Sequence, residues 1–339
     1  MRDLPARFAD VEELEEYMTR PSAALERELA GIDEILVLGV AGKMGPTLAR
    51  LARRAGKRVT GVARFSERGL REKLTGWGIE CIACDLLERA SLERLPLAKH
   101  VVFMAGHKFG AAGNPSLTWA MNVNVPFMVA DTFRDSRIIA FSTACVYPYA
   151  PVTGRGADES VPTTPPAGDY ANSCVGREQA FLYGSQRYGT PGRLMRLEYA
   201  IDMRYGVLHD VAAKVFANQP VDVTMGHVNV LWQGDANEQA LRLLAHCTTP
   251  TSPINVSGAE VLSVRSLAAE FGKRFGRKPI VTGTEAPTAW LVDTREAQRL
   301  LGAPHVPLSA MLDWQADWIA RGMPDLGKPT HFETRDGKY

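Results

Sequence analysis

Ile35-Leu36-Val37-Leu38-Gly39-Val40-Ala41-Gly42-Lys43-Met44-Gly45 is the stretch on which the reading of the whole chain turns. Ile35 to Leu38 is apolar, too short for a helix and rich in strand formers, as expected of a buried parallel strand. It runs into three glycines spaced G-x-x-G-x-x-G, and Leu48, Ala49, Leu51 and Ala52 follow at helical spacing. Gly39 permits a tight turn out of the strand, Gly42 lets a pyrophosphate approach the backbone, and Gly45 lets the helix pack closely on the sheet. The free N–H groups and the positive dipole end of that helix would face the phosphate charge. Strand, turn and helix together point to a dinucleotide-binding unit, with Gly39, Gly42, Lys43, Met44 and Gly45 at the nucleotide.

The rest of the composition narrows the class. The chain has 339 residues, 45% hydrophobic, enough for one large domain or one large and one small. A formal net charge of +1 gives no reason to expect a nucleic-acid or anionic-membrane surface. No apolar run approaches the ~20 residues that span a bilayer. Met1-Arg2-Asp3-Leu4-Pro5 lacks the apolar centre of a signal peptide. Five cysteines, an odd count, fit a reducing cytoplasm better than a disulfide framework. Cys81 and Cys84 form a C-x-x-C, but they lie in or beside the strand-like run Ile79 to Ala83, without a second pair or histidines for zinc. They read as buried thiols, and no metal is expected.

The chain divides into four parts on this reading. Residues 1–33 are a helical lead-in: Val11, Leu14, Tyr17 and Met18 share one helical face, Leu25 and Leu29 another, and Pro21 restarts the helix. Residues 34–199 alternate strands (34–39, 58–63, 79–83, 99–104, 137–142, 192–198) with helices, the clearest at 43–55, 115–134 and 169–188. That rhythm predicts an α/β fold, a doubly wound parallel Rossmann sheet with its crevice at the carboxyl ends of the strands. Residues 200–326 read as a smaller C-terminal α/β lobe, interleaved with the first, with short strands near 221–223, 228–232 and 254–256. Its helices are expected near 206–218, 234–246, 264–276, 293–301 and 309–321. Residues 327–339 are a polar tail, disordered or docked.

The second strand ends Val62-Ala63-Arg64-Phe65-Ser66. An acidic residue there would bind a ribose 2′-hydroxyl, whereas arginine suits a 2′-phosphate, so Arg64 and Arg68 favour NADP, with NAD as the alternative. Arg64 also reads as a solvated loop charge. Asp85, beside Leu86 after the third strand, is placed to accept from an adenine amino group or to cap a helix. Ala105 and Gly106 follow the fourth strand at the same end of the sheet.

Ser142-Thr143-Ala144-Cys145-Val146-Tyr147 closes the fifth strand, and Tyr170-Ala171-Asn172-Ser173-Cys174 opens a long helix. With the glycine loop and Asn122, these segments resemble the extended short-chain dehydrogenase/reductases, the NAD-dependent epimerase/dehydratase family, over roughly residues 34–320. The resemblance implies a nicotinamide coenzyme, a carbohydrate-like substrate and a homodimer built through helices 115–134 and 169–188. It makes Tyr170 the acid/base for hydride transfer and Thr143 the group that orients the substrate oxygen, with Asn122 at the coenzyme. A C–OH carbon that loses or gains hydride needs a proton carrier on its oxygen and a second hydrogen bond to hold it. The family signature is Tyr-x-x-x-Lys, yet Cys174 stands at the lysine position. A thiol neither binds the nicotinamide ribose as lysine does nor lowers the tyrosine pKa, which favours as alternatives a redox-neutral isomerase or lyase, or a non-catalytic nucleotide-binding protein. Lys108, after the fourth strand, and Arg177, one turn beyond Cys174, are the candidate substitute cations, and each reads more readily as a surface or phosphate-binding charge.

The loop Ala105 to Pro115 and the strand end Thr143 to Pro148 are similar to the GDP-fucose synthase branch of that family. There a cysteine and a histidine exchange protons on an enolisable sugar, which implies Cys145 and His209 as proton carriers. Cys145 also reads as a small buried hydrophobe, and His209 as a helix-start histidine bonded to backbone. Ala144-Cys145 replaces the Asp-Glu of the dehydratase branch, so water elimination by that route is not expected. His107 and Lys108 lie at the crevice end and are candidate substrate contacts. In the second lobe Arg196, Glu198, Arg204, Asn229, Trp232 and Gln233 are further candidates. Arg204 suits a phosphate or carboxylate, or pairs with Asp202 or Asp210; Trp232 is a stacking platform or core.

Overall fold

The structure, a computed structural model, describes residues 3–108, 113–328 and 330–335. Seven strands form one sheet: β1 (Glu34–Leu38), β2 (Arg58–Ala63), β3 (Glu80–Ala83), β4 (His100–Phe103), β5 (Arg137–Thr143), β6 (Gly192–Leu197) and β7 (Ser252–Val256). Their order is β3-β2-β1-β4-β5-β6-β7, every neighbouring pair parallel. Ile35 to Leu38 and Ile138 to Phe141 are buried without alternation, because helices cover both faces. The winding reverses between β1 and β4, and the crevice opens there, beyond the carboxyl ends.

The strand expected near 254–256 in the smaller lobe is instead β7, which extends the main sheet from Ser252 opposite Arg193 to Val256 opposite Leu197. A short apolar strand carries no mark of the sheet it will join.

Helices α1 (Val11–Met18) and α2 (Ala23–Glu28) form the lead-in. Asp10 caps the first by accepting from the Glu13 N–H at 2.9 Å, and Ser22 caps the second through the Leu25 N–H at 3.1 Å. Such caps contribute about 1 kcal/mol each. Phe8 and Tyr17 meet Trp232 and Trp314 in a buried aromatic cluster, with Phe8 and Trp314 4.9 Å apart between ring centres. This ties the lead-in to the second half of the chain.

The remaining long helices are α3 (Gly45–Arg54), α4 (Asp169–Tyr188), α5 (Val207–Phe216), α6 (Gln233–Arg242), α7 (Val264–Phe275) and α8 (Leu308–Ala320). α5, α7 and α8 enclose a second core that includes Leu208, Val211, Phe271 and Trp318. The segment expected as one helix over 115–134 is α-helical to Trp119, makes a π turn over Ala120–Asn124, and resumes as α-helix over Val125–Thr132. Pro126 lacks the N–H that an unbroken α-helix would donate to Asn122, which accounts for the wider turn.

The polar end of the chain docks where it is described. Thr330 donates its N–H to Asp210 at 2.8 Å, Phe332 is buried, and Arg335 stacks 4.1 Å from the centre of the Tyr149 ring. No helix of the described residues is long and apolar enough to cross a membrane.

Candidate active site

The crevice begins with the glycine loop. Gly39 has φ +92°, and a Cβ there would lie 2.6 Å from the Ala105 nitrogen. A Cβ on Gly45 would collide with the Val40 carbonyl, so only glycine lets α3 sit this close to the sheet. Gly42 is exposed between them. α3 has no side-chain cap and carries Pro46 in its first turn, which leaves its N–H groups open to an anion.

Two halves of the crevice meet at Gly39, Gly42 and Met104. The outer half, about 210 Å³, is walled by Arg64, Phe65, Asp85, Leu86, Ala105 and Gly106. Arg64 is exposed at the end of β2, and Phe65 after it takes φ +52°. One oxygen of Asp85 accepts from the Leu87 N–H at 3.0 Å, so this carboxylate does shape a turn. The inner half, about 250 Å³, brings together Lys43, Met44, Lys108, Thr143, Cys145 and Tyr170.

Thr143 ends β5 and Tyr170 opens α4, and both side chains line the inner half. Burial pushes the Tyr170 phenol well above its usual range; the Cys174 and Cys145 thiols add to this, while Arg177 and the Thr143 hydroxyl oppose it. The Lys108 ammonium lies 5.7 Å from the centre of the Tyr170 ring. Cys174 is fully buried, and that burial raises its thiol too, so it brings no charge to the phenol. Cys145 is half-buried against the inner crevice.

Lys43 does more than sit in the glycine loop. Its Nζ donates to the Ala200 carbonyl at 3.1 Å and lies 3.9 Å from the centre of the Tyr205 ring. Burial pushes its amine down to about 7; Lys108 and Arg204 push the same way and Asp202 opposes them. Tyr199 and Tyr205, neither singled out in the sequence, also line the inner half. No spacing rule marks a loop tyrosine as the partner of a lysine so far back in the chain; that pairing exists only in the fold.

Other expected residues stand elsewhere. Asn122 is buried in the π turn, accepting from the His107 N–H at 2.9 Å and donating to the His107 carbonyl at 3.0 Å and to Ser173 at 2.9 Å. It braces the loop after β4 rather than lining the crevice. The His107 ring turns to Thr118, 2.9 Å away. His209 turns its Nδ1 to the Met203 carbonyl at 2.9 Å and lines neither half of the crevice. Trp232 is buried in the aromatic cluster, with no face left for stacking on a ligand. Arg204 is engaged by Asp202 at 2.7 Å and Glu15 at 2.9 Å, and it faces a separate hollow beside α3. Arg177, read as a surface or phosphate-binding charge, is buried instead, bonded to the Phe141 carbonyl at 2.9 Å and to Asn122. Phe109 to Ala112, part of the loop likeness, lie outside the described residues. Among the described residues no group of three or more His, Cys, Asp or Glu is placed to hold a metal.

A family model described as the NAD dependent epimerase/dehydratase family matches residues 35–210. The chain belongs to that family. The fold is shared with UDP-glucose 4-epimerase of Thermus thermophilus, solved with NAD (TM-score 0.71, 19% identity, 84% of this chain and 98% of that one). It is shared likewise with UDP-glucuronic acid 4-epimerase of Bacillus cereus, solved with NAD (TM-score 0.72, 19% identity, 85% and 99%). A putative epimerase of Burkholderia cenocepacia matches with TM-score 0.69 at 20% identity, over 86% and 99%. No curated protein sequence matches the chain.

Proposed function

We propose that this chain is a nicotinamide-dependent enzyme that inverts a carbinol centre, or reduces a carbonyl to a carbinol, on a nucleotide-sugar. The observation that carries this is the meeting of Thr143 and Tyr170 at the inner end of a crevice that starts at the glycine loop. The residues present fit the coenzyme: Gly39 and Gly45 make a cradle that any Cβ would fill, and the uncapped start of α3 offers N–H groups to a pyrophosphate. Arg64 would meet a 2′-phosphate, which favours NADP, and the free oxygen of Asp85 would meet an adenine amino group. When bound, the coenzyme supplies hydride transfer at the sugar carbon.

The protein's own part is to hold the oxygen and move its proton. Thr143 and Tyr170 grip the reacting oxygen. Tyr170, kept protonated at neutral pH by burial, is suited to donate a proton to a carbonyl oxygen. Cys145 shares the inner crevice, but His209 is turned away. A paired thiol–imidazole relay therefore lacks its second member, which favours chemistry at one carbon. Exposed Trp119, Phe127 and Tyr183 support a homodimer through the helices that carry them.

The test is turnover of UDP-glucose and UDP-glucuronic acid by wild type and Tyr170→Phe, with NADPH and NADH binding measured in parallel. Loss of turnover by about 100-fold or more with binding intact is expected. Turnover by the variant at the wild-type rate would reject the role. The neutral, buried thiol of Cys174 favours a second reading, a redox-neutral isomerase or lyase or a nucleotide-binding protein without turnover. Coenzyme binding by the wild type with no turnover of either sugar supports it.

A further inference from the structure

The molecule pairs its buried acids. Glu178 takes two bonds from Arg196, at 2.9 and 2.7 Å. Asp202 is held by Arg204, and Asp235 accepts the N–H groups of His305 and Val306 at 3.0 and 2.9 Å. Glu198 is the exception. It is 4% exposed, yet neither carboxyl oxygen has a hydrogen-bond partner among the described residues.

Its place in the fold explains why that matters. Thr143 and Leu197 are register partners at the ends of β5 and β6, and Glu198 is the residue that follows Leu197. Its backbone is pinned, the N–H donating to Val256 at 3.1 Å and the carbonyl accepting from the Ser257 hydroxyl at 2.9 Å. The residue lines the inner crevice with Thr143, Cys145 and Tyr170. Burial pushes its carboxyl well above the usual range. An unmet polar group at such a point costs stability that a leucine would not. Groups of that kind persist where a ligand completes them.

We propose that Glu198 is a substrate-contacting residue, its carboxyl group hydrogen-bonding a ring hydroxyl of the sugar held beside Thr143 and Tyr170. The proposal rests on the nucleotide-sugar reading above and adds to it the side chain that recognises the ring. A carboxyl group meets a hydroxyl as acceptor and, when protonated, also as donor, so the ligand it fits is a polyhydroxylated ring rather than an apolar one.

The experiment compares wild type, Glu198→Gln and Glu198→Leu. UDP-glucose and UDP-glucuronic acid binding is measured by calorimetry, NADPH binding by fluorescence, and the thermal midpoint by differential scanning. Glu198→Leu is expected to raise the midpoint and leave NADPH binding unchanged while weakening the UDP-sugar by about tenfold to hundredfold. Glu198→Gln, which keeps a donor and an acceptor, should weaken it less. Glu198→Leu binding the sugar as tightly as wild type overturns the contact and leaves the nucleotide-sugar reading standing. A lowered midpoint with unchanged sugar affinity also overturns it, since that marks a purely structural group. If Leu fails to fold, Gln decides: sugar affinity equal to wild type sinks the proposal. Failure of the wild type to bind either sugar rejects the nucleotide-sugar reading itself, and the contact with it.

Discussion

Arg177 stands one helical turn beyond Cys174, and its guanidinium donates to Asn122 Oδ1 at 2.6 Å from a buried position beneath Gly106. No carboxylate pairs with it among the described residues, and the opposite wall of its site is the Phe141 carbonyl at 2.9 Å. That guanidinium is thus fixed by neutral oxygens, and it pulls both the Tyr170 phenol and the Cys174 thiol downward against burial.

Removing that guanidinium should loosen the loop after β4. Arg177→Met takes a bond from the Phe141 carbonyl and one from Asn122 Oδ1, which keeps the His107 N–H, for a loss of about 1–3 kcal/mol. Urea unfolding measures it. A variant as stable as wild type would mean that the buried arginine does not brace this wall.

Cys174→Lys tests the missing charge. Tyr170 sits above its usual pKa, so the wild-type rate in the alcohol-oxidising direction should climb through about pH 7 to 9 without levelling, because the phenolate is the base. An ammonium four residues on favours the phenolate and lowers that pKa. The variant's profile should level at lower pH, with a gain of about tenfold or more near pH 7. Superimposable profiles would show that the phenol is not the titrating base.

Lys43 makes stability depend on pH. Its amine titrates at about 7 in the folded chain and at 10.5 in the reference state, so between those values the unfolded chain holds a proton that the folded one has released. Stability from this group therefore rises with pH across that window and is lost as pH falls toward 7. Lys43→Met should flatten the rise in thermal midpoint between about pH 7 and 10. An unchanged slope would place the titration elsewhere.

Arg64 addresses the coenzyme. Arg64→Ala should weaken NADPH by about tenfold, the loss of one charge-assisted bond, and leave NADH within about twofold. Equal weakening of both, or preference for NADH in the wild type, would contradict the 2′-phosphate role.

The parts of the fold that were legible are those where burial dictates residue type along the chain. Ile35 to Leu38 and Ile138 to Phe141 are apolar because both faces of the sheet are covered, and Gly39 and Gly45 are glycine because Ala105 and Val40 leave no room. Thr143, Tyr170 and Cys145 were legible only through the family resemblance, and the strand end and helix start that carry them do meet in the inner crevice. Which way a side chain turns was not legible. Arg204, Trp232 and His209 have the chemistry of ligand contacts, but an ion pair with Asp202, an aromatic cluster and a backbone carbonyl take them. Asn122 and Pro126 make a π turn whose effect appears only when the helix is built, and β7 joins a sheet whose other strands are complete by Leu197.

The central claim is a coenzyme lying along this crevice with its reactive end beside Tyr170. A crystal structure of the wild type soaked with NADPH tests it most directly. Density running from Arg64 past Gly42 to the Thr143–Tyr170 pair is the expected result; an empty crevice at saturating coenzyme, or a nucleotide bound elsewhere on the molecule, would contradict it.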